Sequence, residues 1–293
     1  MKKILFATDF SKNAEKAFHF ALKIAEKHKA ELIMLHVFGI PPVWGHPYIS
    51  DPDEMTRQAG KSWESTLQEF FEQYDTDLKP TFMVIANNSI SKGILSVIKD
   101  HKPDLIIAGV KGKSVLKEIF IGSATKVLLK KSPVPLLAVP ERARYRGFKK
   151  VIYASDLQDF DLTSLELLIQ VVKPYKPDIK VVHICNDDQH RDHEKMQWFK
   201  HLVKKNISYK PISFELLLSK NIFAKLNTYI KENDFDLMVM LEKEHTGIFE
   251  RLFHEDLVWT MEFNTSIPIL SYNKHNLKTT DKQDIKRSDA IEH

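Results

Sequence analysis

Lys2-Lys3-Ile4-Leu5-Phe6-Ala7-Thr8-Asp9-Phe10 opens the chain, and Lys149-Lys150-Val151-Ile152-Tyr153-Ala154-Ser155-Asp156-Leu157 repeats it at an offset of 147 residues. Every pair is identical or chemically close. The same offset aligns Leu35-His36-Val37 with Val182-His183-Ile184. Farther along, Asp104-Leu105-Ile106-Ile107 matches Asp236-Leu237-Met238-Val239, and Pro135-Leu136-Leu137 matches Pro268-Ile269-Leu270. A period of this length is too long for a solenoid unit and is the size of one domain. The 293 residues therefore read as two copies of one domain, each long enough to bury a core.

Within the first copy, strand and helix signals alternate. Ile4 to Ala7, Glu31 to Val37, Phe82 to Ala86, Leu105 to Ala108 and Leu136 to Val139 are short apolar runs of strand length. Between them, Ala14, Ala17, Phe18, Ala21, Leu22 and Ala25 recur at spacings of three and four. Met55, Ala59, Trp63, Leu67, Phe70, Phe71 and Tyr74 form a second stripe, and Ile90, Ile94, Leu95 and Ile98 a third. Ser11 or Asn13 is placed to cap the first helix and Ser89 the third. Apolar strands alternating with helices imply a parallel sheet covered on both faces. The expected fold is α/β: two tandem open parallel five-stranded sheets, Rossmann-like, with helices on both faces. Ligands of such sheets bind beyond the carboxyl ends of the strands, where Asp9, Val37 and Gly109 all fall.

One loop concentrates the glycines. Gly109, Gly112, Gly122 and Ser123 read G-x2-G-x9-G-S from the end of Leu105-Ile106-Ile107-Ala108, and the whole chain has only nine glycines. Glycine lets backbone approach a ligand closely, and the free N–H groups of a following helix suit a phosphate. Gly112-Lys113-Ser114 imitates a Walker A tail, but the required earlier glycine is Ile107; Gly60-Lys61-Ser62 fails likewise at Met55. The plainer alternative is that Gly109 and Gly112 shape a turn and Gly122 ends or starts a helix.

These residues together resemble the universal stress protein family in its tandem form. The resemblance rests on Ile4 to Ser11, Leu35-His36-Val37, Pro103 to Gly109, the glycine motif, and Ser132-Pro133-Val134-Pro135-Leu136-Leu137-Ala138-Val139. It covers residues 1–140 and, more weakly, 148–272. The glycine motif is that of the family's ATP-binding branch, so the resemblance implies ATP, with or without Mg, as ligand. It places Thr8, Asp9 and the backbone around Val37 on the adenine and ribose side. Gly109, Gly112, Gly122, Ser123, Ala124 and Thr125 would wrap the ribose and phosphates. Lys113 joins them on electrostatic grounds, as a cation beside the phosphate loop. Asp9 also suits a cap at a strand-to-helix turn. His36 and His183, inside apolar runs without partner ligands, read as satisfied core or strand-end histidines rather than ligands.

The second copy departs from the motif. Asp156 is kept, but Leu241 and Glu244 or His245 stand where Gly109 and Gly112 do, and Glu255-Asp256 replaces Gly122-Ser123. Added bulk and acidic charge oppose phosphate, so this half is not expected to bind ATP in the same manner. Ile248, Phe249, Leu252, Phe253, Val258 and Trp259 then read as packing residues.

Composition narrows the alternatives. Lys and Arg number 43 against 39 Asp and Glu, a formal charge of +4 that gives no case for nucleic acid. No apolar run reaches membrane-spanning length, and Asp9, Ser11 and Lys12 end the leading apolar run too early for a signal peptide. One cysteine, Cys185, rules out an internal disulfide and fits a reducing cytoplasm. Asp187, Asp188, His190, Asp192 and His193 crowd together, but without further ligands at metal spacing they read as a solvated loop. The expected units are 1–140 and 148–273, joined by the charged stretch Glu141 to Gly147, with a polar tail over 274–293 that is disordered or a single frayed helix. Pro41 to Asp53 reads as a long loop, either a lid over the crevice or plain surface.

Three readings of function stay open: an ATP-binding stress regulator contacting a protein partner, a slow ATP hydrolase using the same pocket, and a nucleotide-free scaffold. No paired carboxylates or Walker B strand support hydrolysis, which favours binding. The two copies are expected to pack as a pair, with a homodimer of such chains as a further step.

Overall fold

The computed structural model describes residues 1–40, 51–110, 123–185, 189–242, 266–273 and 275. In the first half, strands β1 (Lys3–Thr8), β2 (Glu31–Phe38), β3 (Thr81–Ala86), β4 (Leu105–Val110) and β5 (Leu136–Pro140) alternate with four helices. These are α1 (Lys12–His28), α2 (Pro52–Glu72), α3 (Ile90–His101) and α4 (Ser123–Lys131). The second half supplies β6 (Lys150–Ala154), β7 (Asp178–Cys185), β8 (Ile212–Leu218), β9 (Leu237–Glu242) and β10 (Ile269–Asn273). With them come α5 (Asp159–Val172), α6 (Gln189–Asn206) and α7 (Ile222–Asn233).

The strands lie in the order β3-β2-β1-β4-β5-β10-β9-β6-β7-β8. Each half is a five-stranded parallel sheet of the same internal order. The halves meet at one antiparallel pair, β5 with β10, and so form a single ten-stranded sheet. In that pair Leu137 lies opposite Leu270, its own counterpart in the repeat, while Leu136 faces Ser271 and Ala138 faces Ile269. A position that pairs with its own copy marks a pseudo-two-fold axis through the joint, the geometry of an isologous dimer contact made within one chain.

Strand alternation puts successive side chains on opposite faces. Ile4, Phe6, Leu137, Val139, Val151, Tyr153, Leu270 and Tyr272 share one buried layer with α1, α2, α5 and α6. Leu5, Ile106, Leu136, Ile152 and Met238 share the other with α3, α4 and α7. Each layer runs without a break across both halves. The repeated Lys-Lys and Asp positions also gain a structural meaning. The Asp104 carboxylate accepts from the Lys3 backbone N–H at 2.9 Å, and Asp236 accepts from those of Lys149 and Lys150 at 2.9 and 3.0 Å. One carboxylate thus ties the amino ends of two neighbouring strands in each half.

Some sequence expectations change. Ser11 caps α1, accepting from Ala14 N–H at 3.3 Å, but Ser89 makes no capping bond to α3; its hydroxyl lies 3.3 Å from Ser91 Oγ. Met55 and Ile90, counted on apolar stripes, are exposed. The 141–147 stretch, read as a linker, also packs. Ala143 is buried, Tyr145 packs edge-on against Phe20, and its hydroxyl donates to that of Tyr175 at 3.0 Å. His190, Asp192 and His193 belong to the first turns of α6 rather than to a loop, while Asp187 and Asp188 lie outside the described residues. So do residues 41–50 and, apart from His275, the 274–293 stretch.

Candidate functional site

Strand order reverses between β1 and β4, since the chain leaves β1 toward β2 on one side and returns from β3 to β4 on the other. Such a switch point opens a crevice beyond the carboxyl ends of the two strands. The register of β1 with β4 ends at Ala7 opposite Ala108, and with β2 at Thr8 opposite His36. Asp9, Val37 and Gly109 are the next residues on their strands, so three proposed site residues meet at this edge.

The β1–α1 turn is built from local bonds. Thr8 is buried, and its hydroxyl accepts from Phe10 N–H at 3.0 Å. Its carbonyl lies 2.9 Å from His36 Nδ1; a carbonyl only accepts, so Nδ1 carries the proton. Burial lowers the His36 pKa, opposed by this bond and by the Asp9 charge. Asp9 is exposed and its Oδ1 accepts from Ser11 N–H at 3.0 Å. Phe10 holds the left-handed φ of 59°, a conformation that costs a non-glycine residue about 1 kcal/mol or more. An aromatic nest offsets it: the Phe10 ring lies 5.8 Å from Trp63, nearly parallel, and 4.7 Å from His36, with His36 and Trp63 4.5 Å apart. This nest was not read from the sequence.

Gly109 has a reason of its own. A Cβ there would lie 2.6 Å from the Asn13 carbonyl carbon and oxygen and 2.8 Å from Ala14 N. The first turn of α1 therefore packs straight onto β4, and only glycine admits it. Gly93, on α3, seats similarly over the Val37 side chain, at 2.7 Å from Cγ1.

The far wall is α4. It connects within a few residues to the start of β5, which is parallel to β4, so its first turn faces the carboxyl edge of the sheet. Ala124 is half-buried there and Thr125 buried. Gly112, Lys113 and Gly122 lie outside the described residues, and so does the Ser123 side chain, although the Ser123 backbone begins the helix.

In the second half the same turn recurs with a different wall. Ser155 Oγ accepts from Leu157 N–H at 2.9 Å, Leu157 has φ 58°, and His183 Nδ1 lies 2.7 Å from the Ser155 carbonyl oxygen. Both histidines are thus satisfied at strand ends and are buried as well, as a core or strand-end reading expects. Trp63 faces His36, but His183 Nε2 faces the Asp192 carboxylate at 3.6 Å, itself 3.5 Å from Lys195 Nζ. One edge is walled with aromatic rings, the other with a carboxylate. Glu244, His245, Gly247, Glu255 and Asp256 lie outside the described residues. Among the described residues there is no group of three or more side chains disposed to hold a metal ion, and no helix long and apolar enough to cross a membrane.

Comparison with known proteins follows the same division. Residues 1–140 match the model of the universal stress protein family. A universal stress protein of Methanocaldococcus jannaschii is 28% identical over 164 residues, covering 48% of this chain and 96% of that protein. One from Bacillus subtilis is 28% identical over 144 residues, or 47% of this chain and 97% of its own length. The solved structure of a universal stress protein from Archaeoglobus fulgidus superposes with a TM-score of 0.61 at 17% identity, over 93% of this chain and 98% of the other. That last likeness concerns the fold and extends over both halves.

Proposed function

We propose that residues 1–140, which match the universal stress protein family, bind ATP at the β1–β4 crevice and that the chain acts as a nucleotide-dependent stress regulator. The observation that carries the reading is the switch-point edge itself. The exposed Asp9 carboxylate stands at one side, suited to ribose hydroxyls or the adenine amino group, and the first turn of α4 stands at the other. The N–H groups of that turn, those of Ser123, Ala124 and Thr125, are suited to phosphate oxygens. Gly109, Gly112, Gly122 and Lys113 complete the proposed ribose and phosphate wrap, and Thr8 and the backbone around Val37 shape the base side.

Mg, if it accompanies ATP, would be held chiefly by the phosphates, because only Asp9 among the proposed site residues carries a carboxylate. The same scarcity argues against dedicated hydrolysis, which needs a group to orient water and charge to stabilise the departing phosphate. Binding, read out by a protein partner in the cytoplasm, is the function this reading favours.

The test is calorimetry on the full chain. About one equivalent of ATP is expected, because the second half lacks the glycine motif and carries Glu255-Asp256 where the first has Gly122-Ser123. Two comparable sites would remove that reading of the second half. Gly122→Glu is expected to abolish binding without unfolding the chain, since a carboxylate repels phosphate. Unchanged affinity in that variant would move the phosphates elsewhere. Single-turnover phosphate release separates binding from slow hydrolysis.

A further inference from the structure

We infer that Asn273, at the end of the second half's β10, is a positioning residue for α4, the helix whose first turn forms the phosphate side of the first half's crevice. The inference rests on the ATP reading above and adds a residue from the other half of the chain.

The contact is specific. Asn273 is buried, and its side-chain amide donates both protons across the joint, to the Leu129 carbonyl at 3.0 Å and the Ser132 carbonyl at 2.9 Å. These are carbonyls of the last turn of α4 and its exit, which no further helical N–H can reach. The Asn273 Oδ1 accepts from His275 N–H at 2.9 Å, so the amide is satisfied at both ends. The exit is further fixed by Ser132, fully buried, whose hydroxyl accepts from Val134 N–H at 3.1 Å. A nine-residue helix is only about 13 Å long, so pinning its last turn fixes the place of its first.

The arrangement has a direction. Leu137 and Leu270 are counterparts, so the counterpart of Asn273 is Pro140, which offers no donor at all. The second half therefore holds the helix of the first half through a side-chain donor that Pro140, at the equivalent place, does not have. The half being held is the half that keeps the glycine motif. A domain that has given up its own phosphate loop thus retains a part in the other's site.

The test compares two variants of the full chain. Asn273→Asp replaces the donating amide with a carboxylate set against two carbonyl oxygens and the negative end of the α4 dipole. Leu270→Ala removes packing at the centre of the same joint, in the layer opposite α4. At a temperature where both remain folded, Asn273→Asp is expected to bind ATP about tenfold more weakly, within the usual range of coupling between sites. Leu270→Ala is expected to lower thermal stability with affinity kept within about twofold. Hydrogen exchange without nucleotide is expected to quicken in α4 of Asn273→Asp and to stay unchanged in α2 and α5.

Wild-type affinity in Asn273→Asp, or equal weakening in Leu270→Ala, overturns the inference. Should Asn273→Asp fail to fold, Asn273→Ser, which keeps one donor, takes its place under the same criteria. If the wild-type chain binds no ATP, the proposed function falls, and exchange in α4 alone decides whether Asn273 holds the helix.

Discussion

Gly109 illustrates how one residue answers to two demands. Its place at the end of β4 suits a ligand, but the atoms standing where its Cβ would be are the backbone of Asn13 and Ala14. Backbone at a helix start cannot rotate aside as a side chain would. Gly109→Ala is therefore expected to cost about 1–3 kcal/mol before any nucleotide is added, as overpacking does. A thermal melt of the ligand-free variant should fall by several degrees, at roughly 2–4 °C per kcal/mol for a chain of this size class. A variant that melts like the wild type but loses ATP would mean the glycine serves the ligand alone.

At the scale of elements, His36 fastens the end of β1 to β2 through its bond to the Thr8 carbonyl. Burial lowers its pKa below the ordinary 6.5, and His19 and His28 shift in the same direction for the same reason. The folded chain therefore holds these protons more weakly than the unfolded chain. The stability these three histidines contribute is complete above about pH 6.5 and falls as the pH drops through 6.5 toward the lowered folded values. Glu26 and Glu215 are shifted down instead, so their contribution is lost only in a more acid window, below about pH 4.5. Urea melts at pH 7.5 and 5.5 should show the histidine loss, and His36→Asn, whose amide can still donate to Thr8, should reduce it. An identical loss in that variant would assign the effect to the other histidines.

At the scale of the whole molecule, the β5–β10 joint turns two five-stranded sheets into one and covers the edge each would expose. An uncovered edge presents unpaired backbone and, here, the apolar Leu136, Leu137 and Val139. Tethering raises the effective concentration of the partner edge to about the millimolar range. Residues 1–140 expressed alone are accordingly expected to dimerise through β5 or to aggregate, as sedimentation would report. A monomeric fragment as heat-stable as the full chain would remove the joint from any account of stability.

The alternation of strands and helices in both halves, the switch-point edge with Asp9, Val37 and Gly109, and the strand-end roles of His36 and His183 were legible in the sequence. Periodicity and turn chemistry are local, and a repeat lets each half vouch for the other. Only the tertiary structure decided the rest. It gave Gly109 to the packing of α1, walled the first edge with Phe10 and Trp63 and the second with Asp192, and set Asn273 beneath α4. Each of these depends on residues distant in the chain meeting at one place, Asn273 and Leu129 being 144 positions apart. Local composition carries no record of that meeting, because the bond exists only once two edge strands have paired about the axis through Leu137 and Leu270.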